Sequence, residues 1–327
     1  MQKINQKIIA KKFGVSVSTV SRAMNDSHQI SEPVKKKINS YIKKIKFQPN
    51  PHARSLRNMK TKTIAVLVPD IANSFFTLSL RGIEEVLHKN GYNLMIFQTN
   101  DQLETEKQIF NQLESGIVDG VLSACSSNKN GAIEHIMKLN EKIPVVFFDR
   151  FLKELPIPYV TTNNFEVSIE ATDAILKECT DVFFVGISEK ISVTAERLMG
   201  YKTALSHNKI AFDPKKILMF EDEASAYKKF KILLQNRKNK SAFFSTVERY
   251  TMELYKVCTE LNIKVPDDIA IISFTNHPYI HLFMPNMPIV SMPSFDMGKM
   301  STEILLTLIK KKKLLKPNYI LPSTILY

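Results

Sequence analysis

Fifteen lysines and arginines but only two acids, Asp26 and Glu32, stand between Met1 and Lys62, so this stretch carries the whole formal charge of +13. Thr63 to Tyr327 holds 30 basic and 30 acidic residues and is formally neutral. Cationic groups at this density suit the neutralisation of a line of phosphates, because counterion release rewards clustered charge rather than a high average. A solvated basic face or a disordered basic tail is the plainer reading of such a run. The order of the residues argues against it. In INQKIIAKKFGVSVSTVSRAMND, the apolar residues Ile8, Ile9, Phe13, Val15, Val20 and Met24 are spaced for two short helices with Gly14 between them. Gly14 can take a positive φ where the first helix stops, and Ser16 can cap the second through its hydroxyl. That second helix, from about Val17 to Met24, turns Val20 and Met24 inward. Val17, Ser18, Ser21 and Arg22 are left outside, where a guanidinium can form a bidentate pair with guanine in a major groove.

The elements that must position these groups follow. Ser31, Glu32 and Pro33 signal the start of a third amphipathic helix reaching about Lys46, with Val34, Ile38, Tyr41, Ile42 and Ile45 as its apolar stripe. In PNPHARSLR, Pro49 and Pro51 interrupt that helix, and His52 to Asn58 can form one or two turns that are too short to persist alone. An ordinary linker with an incidental Leu56 is the alternative. From Thr63 onward TIAVLVPD, NLMIFQTN, VDGVLSAC and PVVFFDR read as buried strands separated by helices near Phe75–Asn90, Leu103–Ser115 and Gly131–Asn140. The pattern restarts with DVFFVGIS, KILMFED, SAFFST and DIAIISF and helices near Phe165–Glu178, Thr194–His207, Ser225–Gln235 and Arg249–Leu261. Continuous apolar strands alternating with helices imply parallel sheets covered on both faces, here in two α/β lobes. Ligands of such sheets lie beyond the carboxyl ends of the strands, which places a candidate site in the cleft between the lobes.

The runs FGVSVSTVSRAMND, ISEPVKKKI, FQPNPHARSLR and TKTIAVLVPDIANSFF, in this order and spacing, resemble the lactose-repressor (LacI/GalR) family of bacterial transcription regulators. The resemblance extends more loosely through RLMGYKTAL and IKVPDDIAIISF. It implies an N-terminal three-helix helix-turn-helix headpiece (1–48) with a hinge helix and linker (49–62), followed by a two-lobed α/β periplasmic-binding-protein-like effector domain (63–327). The first lobe would comprise about 63–161 with 292–327, and the second about 162–291. DNA contacts carried over by position are Ser16, Val17, Ser18, Thr19, Ser21, Arg22 and Asn25, together with Ala53 and Leu56 of the hinge helix. In the family that helix pairs with its dimer mate in the minor groove and inserts a leucine between base pairs, a wedge that kinks the duplex. Effector contacts carried over are Phe75, Phe76, Asp149, Arg150, Arg197, Asn276 and Phe295.

The chain departs from the family at four positions. Ile8 and Asn163 stand where members often carry an acid, as does Asn276, and Val247 stands where Asn is common. Polyhydroxyl ligands need carboxylates to accept from adjacent hydroxyls, whereas a guanidinium such as Arg197 offers a donor fork to an anion. Amides in place of acids therefore point to a sugar or an anionic sugar derivative of a catabolic pathway. The alternative is a regulator of the same fold whose cleft has degenerated and that answers to a protein co-regulator or to no ligand.

The expectation is a cytoplasmic, homodimeric repressor of a palindromic double-stranded operator, with no membrane partner, enzymatic activity, cofactor or metal. No secretory signal or apolar run of about 18 residues is present, and tetramer-forming leucine repeats do not follow the ILPSTILY strand. Cys125, Cys179 and Cys258 are isolated and odd in number, which fits reduced thiols. His277 and His281 have helical metal-ligand spacing, but Pro278 intervenes and no acid accompanies them. Walker, nucleophile-elbow and dinucleotide fingerprints are absent. Lys310–Lys313 follow the apolar stripe Ile304, Leu305, Leu308, Ile309 and read as favourable charge at a helix C-terminus, with a second DNA contact as the alternative.

Overall fold

Gly14 takes φ 66° and ψ 30° at the end of helix α1 (Gln6–Phe13), the left-handed conformation expected of it, and its N–H is accepted by the carbonyls of Ala10 and Lys11. Helix α2 (Val17–Met24) follows after three residues, Gly14 to Ser16, and α3 (Glu32–Lys44) completes the bundle. Ile9, Ala10, Val20, Ala23 and Ile38 are buried, with Phe13 and Tyr41 packed against them and lying edge to face with each other at 5.4 Å. Ala23 takes the inward place expected of Met24, which is half-buried. The computed structural model describes residues 5–24, 29–45, 47, 60–126 and 133–327, and the chain divides into two units, Met1–Thr61 and Lys62–Tyr327.

The second unit is built on two six-stranded sheets among the described residues. In the first, β1 (Thr63–Val68) lies between β2 (Asn93–Gln98) and β3 (Gly120–Ser123), followed outward by β4 (Val145–Phe148), β5 (Tyr159–Thr162) and β11 (Asn318–Leu321), all parallel. In the second, the order is β7 (Ile217–Met219), β6 (Val182–Gly186), β8 (Ser241–Ser245), β9 (Ile269–Phe274), β10 (Ile289–Ser291) and β12 (Thr324–Leu326). There β12 alone runs antiparallel, paired with β10. Helices α4 (Ser74–Lys89), α5 (Leu103–Leu113), α6 (Glu134–Asn140) and α12 (Ser294–Ile309) cover the first sheet. The second is covered by α7 (Asn164–Leu176), α8 (Ser192–His207), α9 (Glu223–Gln235) and α10 (Glu248–Glu260), with the short α11 (Ile280–Phe283) beside them. The central strands β1, β3, β4, β8 and β9 are buried almost throughout, as continuous Val, Ile and Phe runs require.

Gly82 on α4 and Gly298 on α12 let these helices touch backbone to backbone. A Cβ on Gly82 would meet the Phe295 carbonyl at 2.1 Å, and one on Gly298 the Ser79 carbonyl at 2.1 Å.

The chain crosses between lobes three times: after β5, between β10 and α12, and between β11 and β12. The last crossing corrects the assignment of all of 292–327 to the first lobe, because Thr324–Leu326 pairs in the second sheet. The ILPSTILY run, read as one strand, is two strands broken at Pro322 and Ser323. Strand β2 lies at a sheet edge and is half-exposed rather than buried. Strands β5 and β10 escaped the sequence reading.

Candidate effector cleft and nucleic-acid interface

On the first unit, Ser16 Oγ accepts the N–H of Thr19 at 3.1 Å and lies 2.6 Å from Ser18 Oγ and 2.9 Å from Thr19 Oγ1. The N-cap read from the sequence is therefore formed. Ser16 and Arg22 are exposed, Val17 is 37% exposed, and Ser18, Thr19 and Ser21 are half-buried along one side of α2. Asn39 Nδ2 donates to the Ala23 carbonyl at 3.2 Å, holding α3 against the end of α2. The result is a short helix with hydroxyls and one guanidinium on its outer face. Asn25, Ala53 and Leu56 lie outside the described residues.

In the second unit a cleft opens at the carboxyl ends of the strands. Phe75, Phe76, Asp149, Arg150, Arg197 and Asn276 all line it, together with Ile187, Val193, Thr246, Val247, Glu248, Phe274, Thr275 and Met292. The side chains leave about 60 Å³ between them, space for a few water molecules.

Arg197, on α8, is 6% exposed and its guanidinium is engaged on several sides. Nε donates to Asn164 Oδ1 at 2.8 Å and Nη1 to the Thr246 carbonyl at 2.9 Å. Nη2 lies 3.4 Å from Met292 Sδ, and the plane stacks over Phe274 with 3.8 Å to the ring centroid. Burial lowers its pKa to about 10, so it remains charged at neutral pH. Asp149 closes β4 at φ 60°, a left-handed conformation that aspartate tolerates better than most residues. It is anchored by its N–H to the Val160 carbonyl at 2.9 Å and by its own carbonyl, which accepts Thr161 Oγ1 at 2.9 Å. Burial raises its carboxyl pKa, and the charges of Arg197 and Arg150 oppose that rise. Arg150 is bonded to Asp101 through Nη1 and lies 3.8 Å from Asp149 Oδ2 through Nε, and that Nε has no hydrogen-bond partner among the described residues.

Three expectations change. Phe295 does not line the cleft: its carbonyl packs on Gly82, and its half-buried ring carries the Lys299 ammonium 5.5 Å from its centroid. Asn163 does not line it either. Its Oδ1 accepts the N–H of Ser323 at 2.7 Å, and its N–H meets the Leu321 carbonyl at 3.2 Å, which ties the first crossing to the third. Asn276 does line the cleft, yet both ends of its amide are used at the second crossing. Nδ2 donates to the Met292 carbonyl at 2.7 Å and Oδ1 accepts its N–H at 3.2 Å. These two amides staple the hinge, so reading them as a simple loss of negative charge from the ligand site does not hold.

The sequence reading also missed Glu248. As the first residue of α10 it projects from the second lobe and accepts from Ser74 Oγ of the first lobe and from Thr275 Oγ1. An acid three residues after a buried strand, at a helix start, was the available signal. Cys125 and Cys258 are buried free thiols with raised pKa, and Cys179 is half-buried. Among the described residues no cluster of three metal-ligating side chains exists, and no helix is long and apolar enough to cross a membrane.

A helix-turn-helix unit joined to a two-lobed, parallel-sheet binding domain defines a class of ligand-linked DNA-binding regulators. Residues 7–50 match the family described as bacterial regulatory proteins, lacI family, and residues 64–313 match the periplasmic binding protein domain. The HTH-type transcriptional regulator RegA of Clostridium saccharobutylicum is 32% identical over 320 residues, covering 96% of this chain and 95% of that one. The ribose operon repressor of Halalkalibacterium halodurans is 28% identical, covering 96% and 93%. The chain belongs to the LacI family of bacterial transcription regulators. The structure of the lac repressor dimer bound to operator and the anti-inducer ONPF shares the fold at a TM-score of 0.85 and 16% identity, covering 100% of this chain and 98% of that one.

Proposed function

We propose that this regulator is a cytoplasmic homodimeric repressor that reads a palindromic operator with α2 and is controlled by a neutral, polyhydroxylated effector of the sugar type held in the cleft. Ser16, Val17, Ser18, Thr19, Ser21, Arg22 and Asn25 are the proposed major-groove contacts, with Ala53 and Leu56 in the minor groove. Symmetric half-sites call for a dimer. A candidate face for it lies on the second lobe, where Tyr279, Leu282 (78% exposed) and Phe283 adjoin α10 through the bond from Tyr255 OH to the Phe283 carbonyl.

The effector class rests on the pairing within the cleft. Two carboxylates, Asp149 and Glu248, can exchange their present neighbours for ligand hydroxyls, and the Nε–H of Arg150, which has no hydrogen-bond partner among the described residues, can donate to one. The donor fork that an anion would need, on Arg197, is already engaged with Asn164, Thr246 and Met292. The geometry therefore favours a neutral sugar over the anionic derivative suggested by the sequence, and the ribose operon repressor among the relatives supports a sugar ligand.

Calorimetry against neutral pentoses and hexoses, uronates and sugar phosphates tests this. The expected result is binding of a neutral sugar, weakened about 10-fold or more by Glu248→Gln through the loss of a charge-assisted bond. Tight binding of a uronate or phosphate alone would restore the anionic class. The small space left by Met292 and the phenylalanines gives a second reading some support, that of a regulator answering to a protein co-regulator or to no ligand. Silence across the panel would favour it.

A further inference from the structure

The amino ends of β1, β2, β3, β5 and β11 share one edge of the first lobe, opposite the cleft, because these strands are parallel. That edge includes Lys62, the first residue of the second unit, whose ammonium lies 4.2 Å from the centroid of the Tyr92 ring. Helix α12 ends there too. A Cβ on Gly120, the first residue of β3, would lie 3.1 Å from the Cδ1 of Ile309, the helix's last residue. Lys310, Lys311, Lys312, Lys313 and Lys316 follow, all exposed, before β11 begins at Asn318.

Helix-terminal electrostatics accounts for only part of this charge. The stabilisation it offers is confined to the last turn, whereas Lys310 is already the C-cap and Lys311 turns the chain away at φ 55°. Lys312, Lys313 and Lys316 lie beyond. Several lysines elsewhere in this unit are paired with acids, as in Lys89–Glu85, Lys107–Glu104, Lys142–Glu114 and Lys216–Asp181. The segment from Ile304 to Tyr327 contains no acid at all. Acids near this edge have other contacts: Asp119 accepts the Lys62 N–H at 3.1 Å, Glu85 is paired with Lys89 and Lys299, and Glu303 lies with Lys310 along a shallow depression.

We propose that this edge is a second DNA-contacting surface, on which Lys311, Lys312, Lys313 and Lys316 neutralise phosphates flanking the sequence bound by the first unit. The proposal rests on the DNA-binding reading above and extends it to the effector domain. Ammonium groups on flexible stems suit backbone phosphates and carry no base readout. The tether at Lys62 makes the contact intramolecular once the first unit has bound, so weak individual contacts count. An acidic protein or an anionic membrane would meet the same charges without that proximity.

The test uses the full chain and mixed-sequence duplexes of about 20 and about 40 base pairs, the shorter just spanning two half-sites. Three proteins are compared: the parent, Lys311→Gln/Lys312→Gln/Lys313→Gln/Lys316→Gln, and a control of equal charge, Lys228→Gln/Lys229→Gln/Lys238→Gln/Lys264→Gln, on the second lobe. At about 50 mM salt, where non-specific binding is strong, failure of the parent to bind either duplex would refute the DNA-binding reading itself. If the parent binds, the variant is expected to lose at least about threefold in affinity on the longer duplex relative to the control. Its salt slope should fall by about 0.9 for each phosphate contact removed, and its binding to the shorter duplex should stay close to the control's. Coincident affinities and slopes for variant and control on the longer duplex would overturn the proposal and leave an acidic protein or an anionic membrane as the partner of these lysines.

Discussion

Helix α2 and the cleft hold similar side chains under opposite conditions. On α2 a guanidinium and several hydroxyls stand on an outer face over a core of five buried residues. In the cleft a guanidinium, amides and carboxylates are buried and bonded to one another across strands and lobes. On the proposed reading, recognition on the first surface is by display, so a side chain there can change with little consequence for the fold. In the cleft it would be by exchange, because a ligand must offer at least what the neighbouring side chains already provide. The same residue type therefore carries different liabilities in the two places.

The largest expected difference between them is between two arginines. Arg197→Ala leaves Asn164, the Thr246 carbonyl and the Phe274 face without their partner and should destabilise the second unit by about 3–5 kcal/mol. Arg22→Ala should leave thermal stability within about 0.5 kcal/mol of the parent and cost about 1–3 kcal/mol in operator affinity, with specificity relaxed at one position per half-site. Calorimetric unfolding and binding titrations on both variants check this. Equal stability losses would erase the contrast. Uniform weakening across sequences would make Arg22 a phosphate contact.

Asn276→Asp sharpens the comparison within the cleft. A carboxylate cannot donate, so the 2.7 Å bond to the Met292 carbonyl would be replaced by two facing oxygens. A loss of about 1–3 kcal/mol in denaturant unfolding is expected, whatever the ligand. An unchanged midpoint would mean that the hinge does not depend on this staple.

The smallest effect concerns pH. Burial raises the Asp149 pKa above its ordinary value, so ionised Asp149 costs the fold free energy above that raised pKa. As pH falls through it the cost is relieved, whereas a ligand that needs the carboxylate is lost. Stability attributable to this residue should rise slightly towards acid while effector affinity drops, starting above the range of an ordinary aspartate. Asp149→Asn should flatten both trends in paired titrations. A parallel trend in the two would contradict this assignment.

What the sequence revealed was local. Gly14, Ser16 and the period of Val20 announce the helix pair, because a left-handed stop and a cap are decided within a few residues. Asp149, Arg150 and Arg197 were found by position at strand ends and within a family motif. The exchange of partners across long separations was not legible. Asn163 meets Ser323 and Glu248 meets Ser74 only once the sheets are assembled, and the three residues of β12 change sheets through a break that carries no hydropathic signal.

The contact of Gly82 and Gly298 bears on how the first lobe responds when the cleft changes. Two helices notched into each other's carbonyls have no side chains at that point to repack, and a one-turn slip would drive neighbouring residues into the backbone. Helix α12 continues from the crossing at Met292, so a displacement arriving there finds no lubricated joint. Helices keyed in this way are expected to carry the first lobe as a single block, like a gearwheel keyed to its shaft.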